Sequence, residues 1–89
     1  MTTQDNRTYK TVSTTELLDY VAKNCKNPNG SIVEAIIYKG VIKCTHFFDY
    51  FEYEDMYEHE GIDGERAKLS ASDILGLYPT TLWVIFDEQ

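Results

Sequence analysis

The segment from Phe47 to Glu65 holds most of the side chains that could do chemistry. It contains eight carboxylates and six aromatic rings but no lysine or arginine. Carboxylates at this density could hold a cation, act as a catalytic acid and base, or form ion pairs with basic residues of another molecule. The spacing of the residues indicates which of these three uses the chain supports.

Catalysis is the least supported use. The sequence contains no nucleophile elbow, phosphate-binding loop, dinucleotide-binding fingerprint or zinc-protease motif. Cys44 and His46 lie two positions apart, so on a strand they would share a face and could form a thiol–imidazole pair. That face is the one predicted below to point into the core, and we therefore expect structural roles for both residues. We predict that the chain is not an enzyme and has no cofactor.

The second use is metal binding. Chemically suitable ligands are Asp55, Glu58, His59, Glu60, Asp63 and Glu65. Their spacing lacks the regular ladder of acidic residues that an EF-hand loop requires. His59 is more simply interpreted as an exposed histidine among charged neighbours. We predict no metal site, and a divalent-cation-binding regulator remains an alternative function.

The charge distribution favours the third use, ion pairing with a partner. The net charge is −7, and residues 44–65 carry eight acidic and no basic side chains, whereas the rest of the chain carries seven acidic and eight basic ones. A field this uneven repels nucleic acid and anionic membranes and attracts basic proteins. The chain has no long apolar run, no apolar leader and only two cysteines, so we expect a cytoplasmic location.

Capping signals predict two helices. Either Ser13 or Thr14 can cap the first helix, and Glu16 has capping-box spacing from Ser13. Ser70 and Asp73 show the same spacing at the start of a second, shorter helix. The sequence NPNG at residues 27–30 is expected to end the first helix, because proline cannot continue it and glycine permits a left-handed turn.

A β-hairpin is the clearest strand signal. Two β-branched runs flank Lys39-Gly40, and pairing Tyr38 with Val41 sets the register. The predicted core face of this hairpin then holds Val33, Ala35, Ile37, Ile42, Cys44, His46 and Phe48.

These elements predict an α+β fold in a single domain spanning residues 1–89. Residues 8–12 suggest a short edge strand, and the consecutive apolar residues 82–86 predict an internal strand that is buried on both faces. The expected architecture is a small, mostly antiparallel sheet of three to four strands with two helices packed on one face. Residues 1–7 are expected to form a flexible tail.

The alternation of side chains also limits the second strand of the hairpin. If that strand continued past Tyr50, it would point Glu52 and Glu54 into the core without partners, at a cost of several kcal/mol. We therefore expect it to end, bulge or leave the sheet near residues 49–51. The chain beyond is predicted to project as an extended ribbon, acidic on one side and aromatic on the other, and a helix capped by Gly61 is the alternative.

Ten residues of this region are the predicted partner-binding site: Asp49, Glu52, Tyr53, Glu54, Asp55, Tyr57, Glu58, Glu60, Asp63 and Glu65. Carboxylates on one face of an extended chain recur about every 6.6 Å, so a row of them can present negative charge at a density like that of nucleic acid. Each carboxylate could take a bidentate arginine, and the tyrosines could stack on guanidinium groups. The expected partner is a basic, nucleic-acid-binding protein surface.

In size, acidity, tyrosine content and lack of catalytic motifs, the chain resembles the small inhibitors encoded by bacterial viruses and mobile elements. Those include DNA mimics directed at restriction enzymes, uracil-DNA glycosylase or CRISPR effectors. The resemblance implies a non-enzymatic inhibitor in the host cytoplasm that binds its partner protein, without direct contact with nucleic acid or membrane. An antitoxin or accessory subunit of a larger assembly is the remaining alternative.

Overall fold

The computed structural model describes residues 7–25 and 32–88. In chain order the elements are β1 (Arg7–Ser13), α1 (Thr14–Cys25), β2 (Val33–Lys39), β3 (Ile42–Phe51), β4 (Met56–Glu60), β5 (Arg66–Leu69), α2 (Ala71–Leu77) and β6 (Leu82–Glu88). The strands form one sheet in the order β1-β6-β2-β3-β4-β5, and all neighbours are antiparallel. The predicted tail lies outside the described residues except for Arg7, which begins β1, and so does the predicted NPNG helix stop.

The α+β class is confirmed, but the prediction of three to four strands is wrong, because the sheet has six. The sequence did not predict β4 and β5. Acids in β4 alternate with aromatic and histidine side chains instead of aliphatic ones, and β5 (RAKL) has only four residues. Residues 56–60 therefore pair between β3 and β5 and do not project as a free ribbon.

The β2–β3 hairpin turns one residue later than predicted. Lys39 pairs with Ile42, so the two central turn residues are Gly40 and Val41 instead of Lys39 and Gly40. Gly40 has a φ of 65°, and a type II′ turn requires such a residue at its first central position. The change moves each cross-strand pairing by two residues, which leaves the predicted faces intact. Ile42 nevertheless lies beyond the core and is exposed.

Both predicted capping boxes are present. The Ser13 N–H donates to Glu16 Oε1 at 2.9 Å, and the Glu16 N–H donates to Ser13 Oγ at 3.2 Å. The backbone N–H of Ser13 holds the pKa of Glu16 below its usual value. At α2, the Ser70 side chain accepts from the Asp73 N–H at 3.1 Å, and Asp73 accepts in return from the Ser70 N–H at 3.2 Å.

Replacing Ser70 with alanine is expected to lower the free energy of unfolding by about 1 kcal/mol, because the first turn of α2 loses its side-chain acceptor. The matched control is Ser72→Ala, which makes the same substitution two residues later at an exposed position of the same helix. Urea unfolding monitored by circular dichroism measures both changes. Equal effects at the two serines would show that the cap contributes nothing.

The helices cover one face of the sheet, and the main core lies between the helices and that face. The buried cluster on this side holds Val12, Leu17, Leu18, Val21, Cys25, Val33, Ala35, Phe48, Tyr57, Ile74, Trp83 and Ile85. Trp83 is central and fully buried, with its ring 5.3 Å from that of Phe48 and 5.0 Å from that of Tyr78. Because β6 pairs with both β1 and β2, the prediction of an internal strand is confirmed. The prediction that both of its faces are buried is wrong, because Leu82 is exposed and Val84 and Phe86 are only partly buried.

The opposite side of the sheet, called the open face here, carries the alternate residues of each strand. No helix in the described part of the chain contributes to it, and its members include Tyr9, Glu34, Ile36, Tyr38, Phe47, Asp49, Phe51, Met56, Glu58, Glu60, Leu82, Val84 and Phe86. Ile36 at its centre is buried by neighbouring side chains, whereas Tyr9, Tyr38, Phe47 and Leu82 are exposed. Acidic and apolar residues are therefore mixed on a face that the helices leave uncovered.

Candidate functional site

The strands β3, β4 and β5 divide the predicted site residues among four places. Alternation in β4 directs Glu58 and Glu60 to the open face and Tyr57 and His59 toward the helices. The sequence correctly separated acids from aromatic residues within β4, but Phe51 lies on the open face with the acids, and the side that holds Tyr57 is the protein core.

Asp49 and Glu58 form the central feature of the open face and are called the carboxylate pair below. They are direct cross-strand partners on β3 and β4, and both are half-buried. Asp49 Oδ1 accepts the Tyr50 N–H at 2.7 Å. Among the described residues, no lysine or arginine comes within ion-pair distance of either carboxylate. Like charges directly opposite each other destabilise a sheet. Lys68 lies opposite Glu58 on β5, but its Nζ is directed to Glu54, so no ion pair balances the repulsion between Asp49 and Glu58.

A notch of about 50 Å³ lies beside the carboxylate pair. Ile32, Phe47 and Phe48 give it an apolar lining, and Asp49, Glu58, Glu60 and Arg66 give it a charged one. The notch thus combines negative charge with apolar contact area, which is the environment that the guanidinium group and methylene stem of an arginine favour.

Two of the predicted acids are already paired with basic residues of β5. Arg66 Nε lies 3.1 Å from Glu60 Oε1, and Lys68 Nζ lies 2.8 Å from Glu54 Oε1. Lys68 also lies 4.6 Å from the centre of the Phe51 ring. Surface pairs of this kind contribute little stability, but they reduce the charge that Glu54 and Glu60 can offer to a partner. The sequence could not show this, because it did not predict β5.

The β3–β4 turn, residues 52–55, is tied to the neighbouring strands by two side-chain contacts. β3 ends at Phe51, as the burial cost of Glu52 and Glu54 predicts. Asp55 has a left-handed φ of 52° and accepts the Tyr50 hydroxyl at 2.8 Å. This hydrogen bond raises the pKa of Tyr50 to about 12, because it stabilises the protonated hydroxyl. The turn displays Glu52 and a fully exposed Tyr53 at the end of the hairpin.

The remaining predicted residues do not join the carboxylate pair. Asp63 and Glu65 lie in the β4–β5 loop, where Asp63 Oδ1 accepts the Glu65 N–H at 3.1 Å. Tyr57 is buried, its hydroxyl donates to the Leu18 carbonyl oxygen at 3.3 Å, and burial raises its pKa. Tyr57 is therefore a core residue and is not exposed for contact with a partner.

Sequence reasoning missed a groove of about 460 Å³ on the helix-covered side, called the histidine groove below. Its lining comprises Ile37, Lys39, Cys44, His46, His59, Gly61, Ile62, Asp63, Tyr78 and Thr81. His46 does not pair with Cys44: its Nδ1 lies 2.9 Å from His59 Nε2. His59 is half-buried and not the exposed residue expected from its charged neighbours. The alternation of side chains in β3 and β4 indicates that both histidines lie on the same face of the sheet. Only the pairing of β3 with β4 shows that they are neighbours.

The described residues contain no group of three or more His, Cys, Asp or Glu side chains arranged to hold a metal ion. Among the same residues, no helix has the length and apolar character needed to cross a membrane.

The chain was also compared with known proteins. No protein-family model matches it, and no curated protein or solved structure matches it either. The carboxylate pair, the β3–β4 turn and the histidine groove are therefore interpreted from their own geometry.

Proposed function

We propose that this chain is a non-catalytic binding protein whose open face and β3–β4 turn bind a basic surface of a partner protein. The observation that carries the proposal is the carboxylate pair. Asp49 and Glu58 face each other on adjacent strands, half-buried and without an ion pair to any lysine or arginine in the described part of the chain. An arginine from another protein would relieve this repulsion by bonding to both carboxylates.

The surroundings of the pair support arginine as its ligand. The adjacent notch can accept one side-chain head group, with Phe47 and Ile32 available to contact its aliphatic stem. A planar guanidinium presents several N–H donors in a fixed geometry, whereas a lysine ammonium cannot bond to two carboxylates with the same geometry. The partner surface is therefore expected to be rich in arginine.

The turn supplies a second anchor. Tyr53 is fully exposed, and tyrosines are frequent among the residues that dominate protein interfaces. The Tyr50–Asp55 hydrogen bond and the Lys68–Glu54 ion pair hold the turn before any partner arrives. A preformed turn loses less conformational entropy on binding, so Tyr53 and Glu52 can contribute more of their contact energy to affinity.

The partner is proposed to be a nucleic-acid-binding protein, blocked by a surface that imitates the charge of nucleic acid. Neighbouring strands place side chains about 4.8 Å apart, and the same face of one strand repeats about every 6.6 Å. Asp49, Glu58 and Glu34 thus form a patch of charge and not the single line expected from the sequence, and Glu60 adds to it with a charge that Arg66 reduces. Basic grooves evolved for phosphate backbones would attract such a patch.

Replacing Glu58 with glutamine is expected to have opposite effects on stability and binding. The isolated protein should become more stable by about 0.2–1 kcal/mol, because the repulsion with Asp49 disappears. Capture of the partner from a bacterial lysate treated with nuclease should fall at least about tenfold, because a charge-assisted contact is lost. Urea unfolding and quantitative pull-down at low and high salt measure the two effects.

The matched control is Asp19→Asn, which removes one exposed carboxylate from α1, on the other side of the molecule. This variant should retain partner capture while changing the net charge by the same amount. If Glu58→Gln captures the partner as well as Asp19→Asn does, the open face is not the binding surface. Direct binding of the unmodified protein to duplex DNA would likewise contradict the proposal.

The exposed apolar residues of the open face favour a second candidate, an accessory subunit of a permanent assembly. Tyr9 is 68% exposed, Leu82 62% and Tyr38 53%, all on the same side of the sheet. Contiguous exposed apolar area often marks an obligate interface. Sedimentation of the isolated chain separates the two candidates: self-association favours the subunit, whereas a monomer favours the inhibitor.

A further inference from the structure

The histidine groove contains a hydrogen bond that depends on the protonation of both partners. Nδ1 of His46 and Nε2 of His59 are 2.9 Å apart, and the rings are stacked at 5.1 Å with 15° between their planes. One nitrogen must carry the hydrogen and the other must accept it. The contact therefore exists when the pair is neutral or carries one extra proton, but two imidazolium rings would place two N–H donors against each other.

The position of the pair in the fold restricts its movement in one direction and permits it in the other. His46 is buried, and its ring makes edge contacts with Trp83 at 5.2 Å and Tyr78 at 6.0 Å. Behind these rings, the Thr14 hydroxyl accepts from Trp83 Nε1 at 2.9 Å and donates to the Tyr78 carbonyl oxygen at 2.7 Å. This side is closed by the core. The other side is the groove, whose volume of about 460 Å³ can receive a rotated imidazole ring.

The charged and titratable groups around the pair come from several elements. Lys39 of β2 disfavours a positive charge on His46, and Asp63 of the β4–β5 loop favours one on His59. Cys44 of β3 and Tyr78 after α2 also line the groove, and burial raises the pKa of Tyr78. The remaining neighbours are uncharged: Thr81, which precedes β6, Trp83 of β6 and Thr14 of α1.

Burial is the dominant influence on both histidines. It lowers the pKa of His46, with further lowering by His59 and Lys39, and it lowers the pKa of His59 against the opposing effect of Asp63. At neutral pH the pair is therefore uncharged and its hydrogen bond is intact.

We propose that His46 and His59 form a proton-operated latch that keeps Trp83 and Cys44 covered at neutral pH and uncovers them in acid. When both rings are protonated, their shared hydrogen bond is lost and one ring turns into the groove. Opening exposes Trp83 and Cys44 to solvent. This regulation is independent of the proposed binding of a partner, because the latch and the carboxylate pair lie on opposite faces of the sheet.

The sign of the pH effect follows from proton linkage. The folded-state pKa of each histidine lies below its unfolded value of about 6.5, so the unfolded chain takes up protons first as the pH falls. The stability associated with the neutral pair is complete above about pH 6.5 and is lost as the pH falls through the folded pKa values. If opening requires two protons, its equilibrium constant should rise up to about 100-fold per pH unit in that range, compared with about tenfold for a single proton.

Three readouts on the unmodified protein test the latch between about pH 7.5 and 4.5, the range in which histidine titrates before most carboxylates. The chain has two histidines and one tryptophan, so ring proton resonances and tryptophan emission each report on known residues. We expect the emission of Trp83 to shift to longer wavelength together with the second protonation. Reaction of Cys44 with a dipyridyl disulfide should accelerate relative to that of Cys25, which is buried in the core outside the groove and has a pKa raised to about 11.

The variants His46→Gln and His59→Gln separate a latch from ordinary acid denaturation. Each leaves one titrating ring, and the glutamine amide can bond to that ring whether or not it is protonated, so the acid-induced rise in Cys44 labelling should be lost. If a variant fails to fold, the measurements on the unmodified protein still decide the question. The proposal is overturned if both histidines titrate while Trp83 emission and the labelling ratio stay constant, or if Cys25 and Cys44 accelerate together.

Discussion

Replacing Trp83 with alanine is expected to lower the free energy of unfolding by about 3–5 kcal/mol. The Trp83 side chain is fully buried between α1, the end of α2 and the sheet, and its ring contacts those of His46, Phe48 and Tyr78. A domain of this size has a total stability of about 0.05–0.15 kcal/mol per residue. The substitution is therefore expected to remove about a quarter to all of the stability of the domain.

The effect of Trp83→Ala is measured by urea unfolding with circular dichroism, because the variant has no tryptophan fluorescence. Leu82→Ala is the matched control, since Leu82 is the preceding residue of β6 and its side chain is 62% exposed on the open face. This control should cost well under 1 kcal/mol. A comparable cost at both positions would mean that the core is not centred on Trp83.

Local signals accounted for the parts of the fold that the sequence predicted well. The capping boxes at Ser13 and Ser70 involve residues three apart, and the faces of β2 and β3 follow from alternation alone. The exact hairpin register required the conformation of Gly40, which the sequence does not state. β5 was missed because four residues without an apolar pattern form a strand only when β4 is available to pair with them.

The difference between local signals and pairing of distant strands also explains how much of the site could be predicted. The concentration of acids was evident, but the acids that retain free charge depend on Arg66 and Lys68, which reach Glu60 and Glu54 only through β5. The histidine pair depends on a diagonal relation between two strands and is also non-local. Composition thus located the acidic region, whereas non-local strand pairing determined which of its residues are exposed, neutralised or buried.

Replacing Thr14 with valine is expected to cost about 2–4 kcal/mol, although the side chain keeps its shape. The Thr14 hydroxyl bridges two groups that have no other partner in the described structure, the Nε1–H of Trp83 and the carbonyl oxygen of Tyr78. Loss of the hydroxyl leaves a buried donor and a part-buried acceptor unsatisfied, and each such group costs about 1–3 kcal/mol. Urea unfolding monitored by Trp83 fluorescence measures the change.

Thr14→Ser keeps the hydroxyl and should retain most of the stability, which makes it the matched control. A double-mutant cycle with Trp83→Phe isolates one bond of the bridge: valine should cost less in the phenylalanine background, with a coupling energy of about 0.5–3 kcal/mol. Thr14→Val should also release Tyr78 from the wall of the histidine groove. Because Tyr78 helps to bury both imidazole rings, their pKa values should then rise toward the ordinary value for histidine. Unchanged histidine titration in a destabilised variant would show that the bridge supports the core without shaping the groove.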